Sequence, residues 1–238
     1  MTGKLFLIPT LLGNQEPDSV IPAKTLEVTK KLRYFIVEEL RTARRYLRLI
    51  DKSFPIDECG FSILNEHTPD SEIEEFLNPI AKGFDVGLMS EAGLPCIADP
   101  GSKIVLLAHK KRYSVVPMAG SSSIILALIA SGLNGQNFTF NGYLPVKSAE
   151  RFKKIKELEN KSLEGVAQIF METPYRNNQT LETLLAACQS DTYLCIAADI
   201  SLPTESIKTK KILEWKKETP NLKDRLVVFG LQYCSFYK

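Results

Sequence analysis

Histidine is scarce in this chain, and its cysteines follow no metal-binding or redox pattern. The 238 residues include only two histidines, His67 and His109, which excludes a multi-histidine metal site. The five cysteines are irregularly spaced and form no CxxC pair, so a zinc ribbon or a thioredoxin-type site has no support. We therefore expect no bound metal, and thiols that pack as small apolar side chains.

Long hydrophobic runs and an excess of charge of one sign are also missing. The longest apolar run covers residues 124–130, far short of the roughly 18 residues that span a bilayer. The N-terminal residues lack the apolar stretch and cleavage site of a secretory signal, so we expect no membrane span and a cytoplasmic protein. The 30 Lys and Arg against 28 Asp and Glu exclude a strongly cationic nucleic-acid coat but not a local basic patch.

Short apolar runs alternate along the chain with segments of helical period, which predicts an α/β fold with largely parallel strand pairing. Strands are expected at residues 4–9, 34–37, 61–64, 85–89, 113–117, 138–144, 166–171, 193–198 and 226–231. Helices are expected at residues 41–50, 69–78, 102–111, 121–131, 149–160 and 177–188. Pro79 should end or kink the second of these helices, and Gly132 could cap the fourth. The order is doubled, with a seam near residues 118–120, so we predict two α/β lobes, residues 1–118 and 119–238.

Ligands of open α/β sheets bind at the carboxyl ends of strands, and several loops at such positions have unusual compositions. Residues 90–101, SEAGLPCIADPG, could present backbone groups to a ligand or could be a tight crossover loop. Residues 119–123, AGSSS, could bind a ligand at a helix start or could cap that helix. Glu38 and Glu39 follow one strand, and Glu172, Tyr175 and Arg176 follow another. Each could serve a site or act as a cap or ion pair.

Two basic clusters could contact RNA or could be solvated surface. Arg41, Arg44, Arg45 and Arg48 have the spacing of one helical stripe, which suits phosphate contacts. A second cluster follows the aromatic-rich segment FTFNGYLP. Its members are Lys147, Arg151, Lys153, Lys154 and Lys156.

Taken together, these segments resemble the class III S-adenosylmethionine methyltransferases, the tetrapyrrole methylase superfamily. The nearest branch methylates a cytidine ribose 2′-oxygen in small-subunit ribosomal RNA. The resemblance is carried in order by the segments GKLFLIPTLLGN, VEELRTARRYL, SEAGLPCIADPG, FNGYLPVKSAER and ETPYR, and by an SGL that follows the serine-rich helix. It implies two α/β lobes of tetrapyrrole-methylase type with the cofactor cleft between them, S-adenosylmethionine as cofactor, and a homodimer.

The resemblance also implies roles for particular residues. The cofactor would be bound by Pro9, Gly93, Pro95, Ile97, Ser121, Ser122 and Met171. The acceptor side would hold Glu38, Glu39, Glu91, Arg41, Tyr175 and Arg176. A ribose hydroxyl needs a base as its proton leaves, so Glu38, Glu39 and Glu91 are the catalytic candidates. Arg41, Tyr175 and Arg176 are the candidates for substrate binding, with the two arginines as phosphate anchors.

The chain departs from the branch pattern at several positions. The Asp and Thr of its long loop are Glu91 and Leu94 here, and the segment R-E-L-T-K-x-x-E becomes ADISLPTE, with Ala198 and Leu202 in place of two cations. We expect an S-adenosylmethionine-dependent methyltransferase with an RNA ribose as the leading acceptor. The alternatives are methylation of a small molecule such as a tetrapyrrole, which the near-neutral charge favours, and a non-catalytic binding module, which the altered segment favours.

Overall fold

The computed structural model describes residues 2–65 and 68–233, so His67 lies outside the described residues. The chain divides into two compact units, residues 1–122 and 123–238. The lobe boundary expected between residues 118 and 119 stays a prediction. In the structure the two units divide four residues further along, between residues 122 and 123.

The first unit is built on a five-stranded sheet in which every neighbouring pair of strands is parallel. In the order β3-β2-β4-β1-β5, its strands are β1 Lys4–Ile8, β2 Tyr34–Val37, β3 Gly60–Ile63, β4 Val86–Met89 and β5 Ser114–Pro117. Its α-helices are α1 Pro17–Val20, α2 Ala23–Lys31, α3 Leu40–Ile50, α4 Asp70–Ile73, α5 Asn78–Ala81 and α6 Ser102–Lys110. Short 3-10 turns cover Ile56–Glu58 and Glu75–Leu77.

Helices cover both faces of this parallel sheet. Successive side chains of a strand point to opposite faces, so Phe35 and Val37 of β2 join one apolar cluster, with Leu47 of α3. Ile36 joins the opposite cluster, with Ile104 of α6. Burial on both faces is the usual setting of parallel sheets, and it explains why their strands read as continuous apolar runs.

The second unit contains a mixed five-stranded sheet in the order β6-β7-β10-β8-β9. Its strands are β6 Phe138–Tyr143, β7 Ala167–Glu172, β8 Tyr193–Ala198, β9 Ser206–Lys211 and β10 Val227–Gln232. Its α-helices are α7 Ser123–Ser131, α8 Ser148–Ser162, α9 Asn177–Ala187 and α10 Ile212–Lys217, with a 3-10 turn at Pro174–Arg176. Its apolar cluster joins α8, α9 and α10 to the sheet through residues such as Ile155, Leu184, Trp215 and Phe229.

The expectation of largely parallel pairing is confirmed in the first unit and wrong in the second. Only β6 and β7 pair in parallel there, while the pairs β7–β10, β10–β8 and β8–β9 are antiparallel. The short connection between β8 and β9 makes that pair antiparallel, because parallel neighbours need a crossover of a dozen or more residues. Strand β10 then enters the sheet between β7 and β8.

Two other expectations need correction. The acidic helix expected at residues 69–78 is broken into α4, a 3-10 turn and α5. Pro79 stands in the first turn of α5, where the missing N–H of proline has no helical partner to lose. The sequence reading also missed α2, whose inward face carries the buried threonines Thr25 and Thr29 beside Leu26 and so shows little hydrophobic periodicity.

Candidate functional site

The loops singled out in the first unit leave the same edge of its parallel sheet. Strands β2, β4, β1 and β5 are neighbours in that order, and their carboxyl ends meet because all run in one direction. The segments after them begin at Glu38, Ser90, Pro9 and Met118. The edge therefore carries nine of the expected site residues: Pro9, Glu38, Glu39, Glu91, Gly93, Pro95, Ile97, Ser121 and Ser122.

Hydrogen bonds join the loop after β1 to the loop after β4. The backbone N–H of Thr10 donates to the carbonyl oxygen of Gly93 at 2.8 Å, and the hydroxyl of Thr10 donates to the carbonyl oxygen of Ser90 at 3.3 Å. Gly93 has φ +76°, and a Cβ added there would lie 3.1 Å from a methyl carbon of Leu12. The glycine thus provides both the backbone conformation and the close approach that this junction requires.

The loop of residues 90–101 has left-handed backbone conformations even at residues other than glycine. Cys96 and Ala98 adopt left-handed conformations, with φ of +69° and +64°. Such conformations cost on the order of 1–3 kcal/mol each in non-glycine residues, and they concentrate at binding sites. Gly101, at φ +146°, leaves room for the sulfur of Cys96, which would lie 2.8 Å from an added Cβ. Cys96 therefore packs directly against Gly101 inside this loop.

The segment after β5 packs closely against the same edge. A Cβ added to Gly120 would lie 2.3 Å from two ring carbons of Pro9, so only glycine permits this approach. The carbonyl oxygen of Ala119 accepts a hydrogen bond from the hydroxyl of Thr25 at 2.8 Å. The hydroxyl of Ser121 donates to the carbonyl oxygen of Val20 at 3.3 Å. The serine-rich segment is thus fixed by α1 and α2 before α7 begins at Ser123.

The three catalytic candidates occupy different environments. Glu39 is the N-cap of α3, and its carboxylate accepts hydrogen bonds from the backbone N–H of Thr42 at 2.6 Å and from the Thr42 hydroxyl at 3.0 Å. Backbone hydrogen bonds at Arg41 and Thr42 lower the pKa of Glu39. The exposed Glu91 lies 3.5 Å from the same Thr42 hydroxyl, whereas Glu38 is half-buried. The Thr42 hydroxyl therefore lies between the carboxylates of Glu39 and Glu91 and is closer to Glu39.

A fourth carboxyl group, Asp99, belongs to the loop after β4. Burial raises its pKa to about 6, the negative charge of Glu91 adds to the effect, and a hydrogen bond with Ser90 opposes it. Neither Asp99 nor Thr42 was predicted from the sequence to belong to the site. Thr42, three positions after Glu39, does have the spacing of an N-cap partner.

The expected site residues of the second unit, Met171, Tyr175 and Arg176, follow or end strand β7. Two donors, the Thr173 backbone N–H at 2.8 Å and the Thr180 hydroxyl at 3.2 Å, bind the buried carboxylate of Glu172. The guanidinium of Arg176 lies against the same carboxylate at 2.5 Å, and only 11% of its side chain is exposed. The ring of Tyr175 is exposed, and Arg176 lies 5.9 Å from its centre. Arg176 is therefore an internal partner of Glu172 that also supports the Tyr175 ring.

The two basic clusters differ sharply in the structure. Arg41, Arg44, Arg45 and Arg48 are all exposed on α3, whose opposite face is buried. In the second cluster, on and beside α8, Arg151 is buried, and it donates to the Thr183 hydroxyl and the Val146 carbonyl. Three lysines of that cluster form ion pairs: Lys147 with Glu150, Lys154 with Glu157, and Lys156 with Glu159.

Residues 198–205, where the family cations are replaced, form a turn held by Arg225. Burial opposes ionisation of Asp199, but hydrogen bonds led by that from Arg225 outweigh it and lower the pKa of Asp199. The Nε of Arg225 lies 2.7 Å from the Asp199 carboxylate. Arg225 also lines a cavity of about 240 Å³ together with Ala198, Lys208 and Lys210. A cation therefore lies beside Ala198, supplied by a part of the chain that the sequence reading did not single out.

The described residues contain neither a metal-binding cluster nor a membrane-spanning helix. Across residues 2–65 and 68–233, no group of three His, Cys, Asp or Glu side chains is arranged to hold a metal ion. In the same residues, no helix combines the length and the apolar character that crossing a membrane requires.

Several known proteins that resemble this chain in sequence carry the same name. The chain is 30% identical to ribosomal RNA small subunit methyltransferase I of Haemophilus influenzae, over 93% of this chain and 75% of that protein. It is 32% identical to the protein of the same name from Streptococcus pyogenes serotype M1, over 98% and 79%. It is 30% identical to that of Hydrogenobaculum sp., over 99% and 98%. No family model matches the chain.

A solved structure supports the fold. The crystal structure of the methyltransferase CobJ is similar with a TM-score of 0.64 and 14% sequence identity, over 98% of this chain and 95% of that one. This likeness concerns the fold alone. It confirms the expected tetrapyrrole-methylase type of α/β architecture.

Proposed function

The chain belongs to the ribosomal RNA small subunit methyltransferase I family, and from this premise we propose that it transfers a methyl group from S-adenosylmethionine to a ribose 2′-hydroxyl of small-subunit ribosomal RNA. Methyl transfer is the activity of the family. The cofactor, the acceptor atom and the residue roles below are the proposal.

The observation that carries the proposal is the joined pair of loops at the sheet edge. The hydrogen bond between Thr10 and Gly93 ties the loops after β1 and β4, and Cys96 and Ala98 of the second loop have left-handed backbones. A loop tied in this way can present backbone N–H and C=O groups to a ligand with a smaller entropic loss than a free loop.

The residues present fit S-adenosylmethionine. Ile97 offers an apolar side chain that is 40% exposed in the loop, which suits an adenosine or methyl contact. We assign cofactor binding to Pro9, Gly93, Pro95, Ile97, Ser121, Ser122 and Met171.

When bound, S-adenosylmethionine supplies an electrophilic methyl group on a sulfonium. The chain must position the acceptor and accept its proton. We assign proton acceptance to Glu91. Glu39 is engaged as the N-cap of α3 with a lowered pKa, which makes it a weaker base. Glu38 and Glu39 are the neighbouring acidic residues of this edge, and Glu39 accepts the Thr42 hydroxyl hydrogen bond, which leaves the Glu91 carboxylate available to the acceptor.

On the acceptor side we assign Arg41, Tyr175 and Arg176. The exposed ring of Tyr175 suits stacking on an unpaired base, a common mode of RNA recognition. Arg176 acts as a positioning residue for that ring, because its guanidinium is occupied by Glu172. Arg41 is exposed in the first turn of α3, next to Glu39, and suits a phosphate contact.

We also propose that the chain acts as a homodimer. Helix α7 is mostly apolar, and its residue Ile129 is 72% exposed. This exposed apolar side chain supports a surface that a second copy of the chain covers. Light scattering during size-exclusion chromatography measures the mass directly. A mass of one chain at micromolar concentration would contradict this part of the proposal.

The test of function is methyl transfer from labelled S-adenosylmethionine to small ribosomal subunits from cells lacking this modification. A product at a ribose 2′-oxygen is recognised by resistance of the following phosphodiester to alkali. Free ribosomal RNA and a tetrapyrrole are tested in parallel. Label in RNA bases, or only in the small molecule, would overturn the acceptor assignment. Calorimetry that detects no cofactor binding, with or without RNA, would support a non-catalytic module.

Two variants separate the carboxylates. Glu91→Gln should lower kcat by at least tenfold while cofactor binding persists. Glu39→Gln should mainly weaken the start of α3. A Glu91→Gln variant with the kcat of the original chain would remove Glu91 from the mechanism.

A further inference from the structure

Helix α3 presents an arginine stripe, which we define as Arg44, Arg45 and Arg48. The helix sequence, LRTARRYLRLI, contains no acidic residue. Its other face is buried through Ala43, Tyr46, Leu47 and Ile50, so packing fixes which way the stripe points. The result is an exposed cationic surface on an element that cannot rotate.

The arginine stripe is not neutralised by ion pairs. Within the part of the chain that the structure describes, no Asp or Glu forms an ion pair with Arg44, Arg45 or Arg48. The lysine-rich helix α8 provides the contrast, because Lys154 and Lys161 share Glu157 there. The two helices have similar basic content, but among the described residues the stripe forms no such ion pair, and Asp51 interacts with Arg48 only at longer range.

Two of the three guanidiniums are held in place by neighbouring groups. Arg44 lies 5.4 Å from the centre of the Phe61 ring. Arg48 donates from Nη1 to the carbonyl oxygen of Lys52 at 2.9 Å. Each retains further N–H donors, because a guanidinium carries five. A cation that is already positioned loses less side-chain entropy on binding a phosphate than a free lysine does.

The length and position of α3 indicate what would bind. With about 1.5 Å rise per residue, the eight residues from Arg41, at the candidate site, to Arg48, at the far end of the stripe, span about 10 Å. Over that length, the exposed arginines can contact several successive phosphates of one RNA strand. The helix begins directly after Glu39, at the edge that carries the candidate site. The stripe therefore leads away from this site.

We propose that the arginine stripe binds the phosphate backbone of the RNA substrate on one side of the acceptor nucleotide. This inference rests on the proposed function for the identity of the RNA. It adds a binding surface outside the residues assigned to the site, and it predicts contacts to phosphate that carry no sequence information.

The test uses the full chain and a fragment of small-subunit ribosomal RNA that contains the acceptor region. The variant R44Q/R45Q/R48Q removes three charges from α3. The control K147Q/K153Q/K154Q removes three charges from α8 and its N-terminal end. The RNA dissociation constant is measured over a range of salt concentrations. Each lost phosphate contact should reduce the slope of log K against log salt by about 0.7.

The stripe variant should bind RNA at least tenfold more weakly at low salt, with a slope smaller by about 2 for three lost contacts. Its KM for the RNA should rise while calorimetric binding of S-adenosylmethionine stays unchanged. The α8 control should keep the original slope. The single variant R45E, at an exposed position, serves as a second probe if the triple variant folds poorly.

An unchanged slope in both stripe variants, or an equal loss in the α8 control, would overturn the inference. Its failure can be distinguished from failure of the proposed function. Absence of methyl transfer by the original chain would count against the function, whereas the salt slope measures the stripe without any turnover.

Discussion

The guanidinium of Arg176 is paired with a carboxylate, Glu172, that has no solvent exposure at its side chain. Removing one partner of such a pair leaves an uncompensated buried charge, which typically costs about 3–5 kcal/mol. We expect Arg176→Ala to lower the free energy of unfolding by about 3 kcal/mol, measured by urea denaturation at pH 7.5. The double variant Glu172→Gln/Arg176→Gln should lose clearly less. Equal losses would show that the pair is not coupled.

Tyr175 tests the acceptor side without this complication. Its exposed ring contributes little packing, so Tyr175→Ala should change the free energy of unfolding by less than about 0.5 kcal/mol. If the ring stacks on a base, the KM for RNA should rise by about tenfold, since stacking is worth about 1–3 kcal/mol per base. Tyr175→Phe, which keeps the ring, should retain the original KM. A normal KM in the alanine variant would remove Tyr175 from the acceptor side.

Asp99 should make stability depend on pH in an unusual direction. Its pKa is about 6 in the folded chain against an ordinary value of 3.8, so between these values the folded state holds more protons than the unfolded state. The contribution of Asp99 to stability is therefore present at low pH and is lost as the pH rises through about 6. Asp99→Asn should raise Tm at pH 7.5 by on the order of 2 °C, reduced by partial solvent exposure.

The same substitution should have a smaller effect at pH 5.0, where the aspartic acid is largely protonated in the folded chain. Calorimetric scans of both proteins at the two pH values give the comparison. Equal gains at both values would assign the effect to something other than ionisation of Asp99.

The sequence predicted the elements that depend on local pattern. Apolar runs such as residues 34–37 and 193–198 become strands at those bounds. The four arginines at i, i+3, i+4 and i+7 are all exposed on α3, as their spacing predicts. Antiparallel pairing in the second unit was missed because it depends on where β10 enters the sheet, which no local pattern encodes.

Contacts between residues distant in sequence also escaped the sequence reading. Arg225 reaches Asp199, 26 residues away, and Thr42 reaches Glu91, 49 residues away. Arg151 looked like one cation of a surface cluster, and the structure buries it against Thr183 on α9. Composition cannot distinguish such cases, because burial of a charge is decided by which hydrogen-bond acceptors the fold brings to it.

Gly120 gives the sharpest test of the loop junction. An added methyl group would lie 2.3 Å from the Pro9 ring, so Gly120→Ala must displace either the β5 loop or the β1 loop. Overpacking of this kind costs about 1–3 kcal/mol. Because the displaced loops carry assigned cofactor residues, binding of S-adenosylmethionine should weaken at least tenfold in calorimetric titration.

Gly135 provides the matched control, since an added Cβ there meets nothing within 4 Å. Gly135→Ala should bind the cofactor normally and should change stability by less than about 0.5 kcal/mol. If Gly120→Ala binds the cofactor as tightly as the control does, the junction between Pro9 and Gly120 lies outside the cofactor site.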